Sequence, residues 1–393
     1  MTTTFRRRAA ALLATTFLAC AVVGCAASER PEIAATALDG DGVDGGGAAE
    51  VAEPARALII ADERGGLTLL DLATEDRQVI AEPQAERVAG VEGTGRFVYV
   101  VREGAVEVVD SGRWTMPHGD HSHYFRGEPR TVGAVDGDGQ ALIGVGADAT
   151  VIRFEDEAAV LEHEPLGEGA VDPARSAIDG GGPAIVVAGH LLTATDAGIA
   201  GVDASAVPCQ AASDVDLTRV GTVFACAEGA VLVSREVDGT VSSESIPYPA
   251  GVAAPALTLS GRPDRPDLAG VSVDGGAWRL DVRERTWTLL PSDVPLVDAA
   301  AIGDDDARTA VIASDGSVRI LAADGAVLAR TDPLLADALA NPALSERPQL
   351  LVDGDHAYVS DPATGSVHEI DLDDGLVTRT FADLRPWAVE LVG

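Results

Sequence analysis

A run of small and β-branched residues recurs along this chain at a nearly constant interval. It is met at Ala57-Leu-Ile-Ile60, Phe97-Val-Tyr-Val100, Ala141-Leu-Ile-Gly144 and Ala184-Ile-Val-Val187. It returns at Val223-Phe-Ala-Cys226, Leu268-Ala-Gly-Val271, Thr309-Ala-Val-Ile312 and Ala357-Tyr-Val-Ser360. Most of these runs are followed by a turn and a second segment of the form Gly-x-hydrophobic-x-hydrophobic. Examples are Gly65-Gly-Leu-Thr-Leu-Leu-Asp71, Gly104-Ala-Val-Glu-Val-Val-Asp110, Gly316-Ser-Val-Arg-Ile320 and Gly365-Ser-Val-His-Glu-Ile-Asp371. Alternating apolar and polar positions bounded by Asp-Gly or Gly-Asp turns are the signature of β-hairpins. The interval, roughly 40–48 residues, is that of one four-stranded propeller blade per repeat. Eight units can be counted, which predicts an all-β, eight-bladed β-propeller from about residue 55 to residue 393, with seven blades as the nearest alternative. A β-helix or a sandwich would need a different repeat length.

Two segments stand outside the repeat. Pro333 to Leu344 is rich in Ala and Leu and reads as a helix inserted between the last two blades. Trp387-Ala-Val-Glu-Leu-Val392 reads as a terminal strand. Paired with a strand from the other end of the chain, it would close the ring and remove its exposed edges.

The beginning of the chain carries addressing signals instead. Arg6-Arg7-Arg8 precedes an apolar stretch from Ala9 to Val23, too short to span a bilayer as an anchor. It ends in Val22-Val23-Gly24-Cys25, which resembles a bacterial lipobox, so residues 1–25 are expected to be a lipoprotein signal with Cys25 as the lipidated residue. Residues 26–54 are dominated by Ala, Gly, Asp and Glu without apolar periodicity and are expected to be a flexible acidic linker. Within them, Asp39 and Asp41 with Glu50 at the twelfth position faintly suggest a calcium loop, but Val43 and Asp44 replace the required oxygen ligand and glycine. Export agrees with cysteine usage: beyond Cys20 and Cys25 only Cys209 and Cys226 remain, most simply one disulfide.

The chain has 63 Asp and Glu against 28 basic residues, all of them Arg, for a formal charge of −35. Such a surface repels nucleic acid and anionic lipid and attracts cations. Against this acidic background, three of the seven histidines fall within six positions, in Pro117-His118-Gly119-Asp120-His121-Ser122-His123-Tyr124-Phe125. We read this stretch as a loop leading into a strand between the second and third repeat units. In an extended segment His121 and His123 point the same way, with Cβ atoms about 6–7 Å apart, close enough to converge on one ion. Gly119 would allow His118 to fold back as a third ligand, and Asp120 could ligate or orient an imidazole. Nitrogen-rich ligation suits Zn²⁺, with Cu²⁺ and Ni²⁺ competitive, and does not suit Ca²⁺ or Mg²⁺. His163 and His190 are isolated and read as structural, whereas His356 and His368, in the last unit, are candidate further ligands.

Catalytic motifs are absent from the sequence: no Gly-x-Ser-x-Gly elbow, His-Glu-x-x-His, phosphate loop or dinucleotide fingerprint is present. An exported propeller carrying Pro-His-Gly-Asp-His-x-His-Tyr between early blades resembles the AztD-type zinc metallochaperones that accompany a zinc ABC importer. That resemblance implies capture of zinc outside the cytoplasm and its transfer to the importer's solute-binding protein. By position it assigns His118, His121 and His123 to zinc, with Asp120 as their partner. Two stretches in which that family carries further histidines read Gly167-Glu-Gly-Ala-Val171 and Cys209-Gln-Ala-Ala-Ser213 here. Two other classes fit the same outline: a cell-surface scaffold with a vestigial metal site, and a metal-dependent hydrolase or lactonase.

Overall fold

The structure is a computed structural model that describes residues 47–118, 121–202, 206–251, 255–344 and 346–393. Among these residues, eight sheets of three or four antiparallel strands follow one another along the chain, and a ninth, three-stranded sheet stands apart from the series. This is a β-propeller. In the first sheet Ala57–Ala61, Leu67–Asp71 and Arg77–Ala81 pair in sequence, and the fourth strand, Ala388–Val392, arrives from the other end of the chain. Its register runs from Ala57↔Val392 to Ala61↔Ala388, so the terminal strand closes the ring as its sequence predicts.

The recurring apolar runs fall in strands, except that Ala141 lies just before its strand, Leu142–Val145. Ala57–Ala61, Phe97–Arg102, Thr222–Cys226 and Thr309–Ala313 are buried along their whole length. A strand buried on both faces reads as a continuous apolar run, which is why these stand out from the alternating segments beside them. The outer strands Arg77–Ala81 and Val327–Arg330 are mostly exposed and carry polar or mixed sequences. The core lies between sheets: Ile59 and Leu69 of the first pack with Val98 and Val100 of the second. Each such side chain contributes about 1.5–3 kcal/mol when fully buried.

The ring closure is reinforced by charge. The Arg56 guanidinium donates to Asp353 at 2.6 Å, joining the first sheet to the last. Burial opposes the charge on Asp353, but the backbone N–H groups of Asp355 and His356 and the Arg56 charge outweigh it and hold the carboxyl below its ordinary range. Arg379 pairs with Glu369 and donates to the Leu72 carbonyl at 2.6 Å. Cys209 and Cys226, both buried, form the expected disulfide.

Two expectations need correction. The helix over Pro333–Leu344 is only Ala336–Ala340, bracketed by Pro333 and Pro342. It docks against Gly316, whose φ of +87° and whose absent Cβ, which would stand 2.4 Å from the Ala336 nitrogen, both require glycine. The linker expected to run to residue 54 is not linker throughout, because Ala49–Val51 is a strand. Its three residues had no periodicity to show; an open sheet edge supplies the order. Cys25 and most of the expected signal and linker lie outside the described residues.

Candidate metal centre

The histidine stretch is a β-hairpin, Arg113–His118 paired with His121–Arg126, and Gly119 and Asp120 at its tip lie outside the described residues. It does not connect two repeat units. The second sheet consists of Gly90–Gly93, Phe97–Arg102, Ala105–Asp110 and Arg130–Asp136, and the hairpin departs and returns between its third and fourth strands. The hairpin pairs on its other edge with Ala49–Val51, in the register Ala49↔Arg126, Glu50↔Phe125, Val51↔Tyr124. Pro117, which has no N–H to donate, is tolerated because its strand is a sheet edge.

The cross-strand register sorts the hairpin into a base and a tip. At the base Arg113 faces Arg126, and both reach the buried Asp71 of the first sheet. The next pair, Trp114 and Phe125, points to the opposite face and stacks with ring centroids 5.0 Å apart, and the Arg96 guanidinium lies 3.8 Å over Trp114. Arg96 is itself fixed by two hydrogen bonds to Asp110, at 3.1 and 2.9 Å. Toward the tip come His118 opposite His121 and Met116 opposite His123. Side chains two apart on one strand, or directly opposite on paired strands, share a face. The ladder therefore places all three imidazoles on one side.

They converge. One ring nitrogen from each of His118, His121 and His123 lies within 4.8 Å of the others. His121 Nε2 is 3.1 Å from His123 Nε2, and His118 Nδ1 is 3.3 Å from the same atom. Two nitrogens bound at 2.0–2.1 Å to one tetrahedral ion stand about 3.3–3.4 Å apart. The two pairs that meet at His123 Nε2 stand near that spacing, and the three donors together lie within 4.8 Å, a set that could hold a metal ion. His118 and His121 are exposed, whereas His123 is buried, so the cluster has a fixed inner ligand and two outer ones open to exchange.

A carboxylate that sequence reasoning passed over completes the arrangement. Glu50 Oε1 lies 2.7 Å from His123 Nδ1. With Nδ1–H donating to that carboxylate, the Nε2 lone pair of His123 points at the other two imidazoles, the arrangement by which a carboxylate orients a metal-ligating histidine. The structure does not bring His356 or His368 to this group. Among the described residues, the set of converging donors is the three hairpin histidines alone. His356 stands 3.8 Å from Asp353 and 3.9 Å from Glu369. His368 is bonded to Thr380 at 3.1 Å and stands 3.7 Å from Asp361. Both sit among carboxylates of the last sheet. His163 is bonded to Thr150, which also bonds Tyr99, and burial holds its pKa below the ordinary value.

Fold and site together define a β-propeller in which three imidazoles that could hold a metal ion converge on a hairpin inserted between two strands of one sheet. The chain shares its fold with AztD from Citrobacter koseri: two structures, one of them of apo AztD, superpose with TM-scores of 0.74 and 0.72 at 17% and 16% identity. The match covers 87% of this chain and 98% of that one. The dihydro-heme d1 dehydrogenase NirN, in complex with DHE, matches at a TM-score of 0.53 and 12% identity over 86% of this chain and 76% of its own. No family model and no curated protein sequence matches the chain.

Proposed function

We propose that this protein is an extracytoplasmic zinc carrier, tethered to the membrane through Cys25, that captures Zn²⁺ on its histidine hairpin. It passes the ion to the solute-binding protein of a zinc ABC importer and catalyses no reaction, and we read its eight ring sheets as eight blades. The observation that carries this reading is the convergence of three imidazole nitrogens within 4.8 Å of one another on one face of a hairpin. The AztD fold and the buried disulfide support it, since structural disulfides belong to oxidising compartments. A carrier needs a site that binds tightly and remains accessible to an acceptor, and two of the three ligands are exposed. The acidic surface, at a formal charge of −35, would concentrate cations around it.

Competition of metal-stripped protein with a chromogenic chelator for Zn²⁺ tests the reading. It predicts one tight equivalent, weakened at least about 100-fold in the His121→Ala/His123→Ala variant, with an unchanged circular dichroism spectrum. Unchanged affinity in that variant would sink the site assignment. Weak, multiple binding in the parent protein would favour a scaffold whose acidic surface merely collects cations.

A further inference from the structure

The hairpin face that presents the triad has four corners at its tip, and histidine occupies only three. The two outermost cross-strand pairs on that face are His118↔His121 and Met116↔His123. Directly opposed side chains have Cβ atoms about 4.5–5.5 Å apart, and diagonal ones remain within reach of a long side chain. One diagonal of this quadrilateral, His118 to His123, is already closed to 3.3 Å between nitrogens. Met116 holds the remaining corner, between His118 on its own strand and His123 across the ladder. It is 37% exposed, so its thioether is not committed to a core. The chain contains only two methionines, and Met1 is the other. A sequence that otherwise excludes methionine from its interior places one beside three imidazoles.

We propose that Met116 supplies a fourth, thioether donor that enables the hairpin to hold monovalent copper as well as a divalent ion. The proposal rests on the triad being a metal site and is independent of the transfer step. The chemistry separates the two cargoes. Zn²⁺ takes imidazole, thiolate and carboxylate ligands and gains little from a thioether. Cu(I) is soft, and thioether together with imidazole is among the donor sets that select it. Three nitrogens and one sulfur would enclose Cu(I), the sulfur taking the position that an exchanging Zn²⁺ leaves to water. Methionine also has the flexibility to swing toward the ion or away from it, so the same face can present three donors or four.

The test is a pair of titrations on full-length protein. Cu(I), kept reduced anaerobically, competes against bicinchoninate, and Zn²⁺ competes against a zinc chelator. Each is run with the parent chain, Met116→Leu and His121→Ala/His123→Ala. Met116→Leu keeps volume and apolarity and removes the sulfur. It should weaken Cu(I) about tenfold or more while leaving Zn²⁺ within about twofold. X-ray absorption of the Cu(I)-loaded parent should show a sulfur scatterer that Met116→Leu lacks. Equal Cu(I) affinities overturn the proposal. So does parallel weakening of Cu(I) and Zn²⁺ in Met116→Leu, which would make the residue a prop for the hairpin. Zn²⁺ binding that survives the double histidine variant overturns the triad itself, so the two readings fail separately.

Discussion

Glu50 and His123 are 73 positions apart in the chain and 2.7 Å apart in space. Nothing local in the sequence links them, and Glu50 sits in a stretch whose composition reads as linker. The histidines were legible because three of seven are packed into six positions. Their orienting carboxylate was not, because a hydrogen bond between remote segments leaves no spacing to read. The same holds for Met116, whose meaning depends on the strand register. At this scale the prediction concerns Glu50. Glu50→Ala should lower Zn²⁺ affinity about 10–100-fold, and Glu50→Gln, which keeps an acceptor for Nδ1–H, should lose less. Chelator competition reads both. Equal affinity in all three proteins would mean that His123 needs no orienting partner.

Strand by strand, the propeller repeat was readable because strands buried on both faces leave continuous apolar runs between glycine turns. The inserted hairpin was not recognisable as one. Its base combines arginines that answer to Asp71 with an aromatic pair under a guanidinium, and its tip is polar and exposed. Neither half shows clean alternation. The base fixes the tip, and this can be measured. Trp114→Ala removes a ring stack and a cation–π contact worth about 1 kcal/mol each. Amide exchange over His121–Arg126 should then quicken while Ala57–Ala61 keeps its protection. The strand Ala49–Val51 yields a second test. A protein beginning at residue 55 would retain every ring strand and lose Glu50. It should fold with an unchanged far-ultraviolet spectrum and bind Zn²⁺ about 10–100-fold more weakly, as Glu50→Ala does.

For the whole molecule, the terminal strand and the Arg56–Asp353 pair join the ends of a ring in which the first strands of two sheets carry acids shielded from solvent. Burial, then the charge of Asp214, pushes Asp216 up to about 7, and burial lifts Asp298 to about 6. The folded protein thus keeps protons that the unfolded chain releases near 3.8. The stability these groups contribute is present below that value and is lost as pH rises through about 7. Asp315 works in the opposite sense: despite burial, Ser317 and Arg319 hold it at about 2, so its contribution fades as pH falls toward that value. Thermal melting should therefore be highest between about pH 4 and 6 and decline toward pH 8, and Asp216→Asn should flatten that decline. A flat profile from pH 5 to 8 in the parent would contradict it. The ring was visible from its period, whereas its half-buried acids were hidden among 63 carboxylates with no positional signature. The hairpin leaves the second sheet after Asp110 and the ladder resumes at Arg130, with Arg130 paired to Asp110 as though nothing intervened. Only the base of the excursion answers to the ring, through the arginines that pair with Asp71. Selection can lengthen the outer part or recode its donors without disturbing the blades, so descendants of one stable scaffold could diverge in the metals they handle while their cores stay the same.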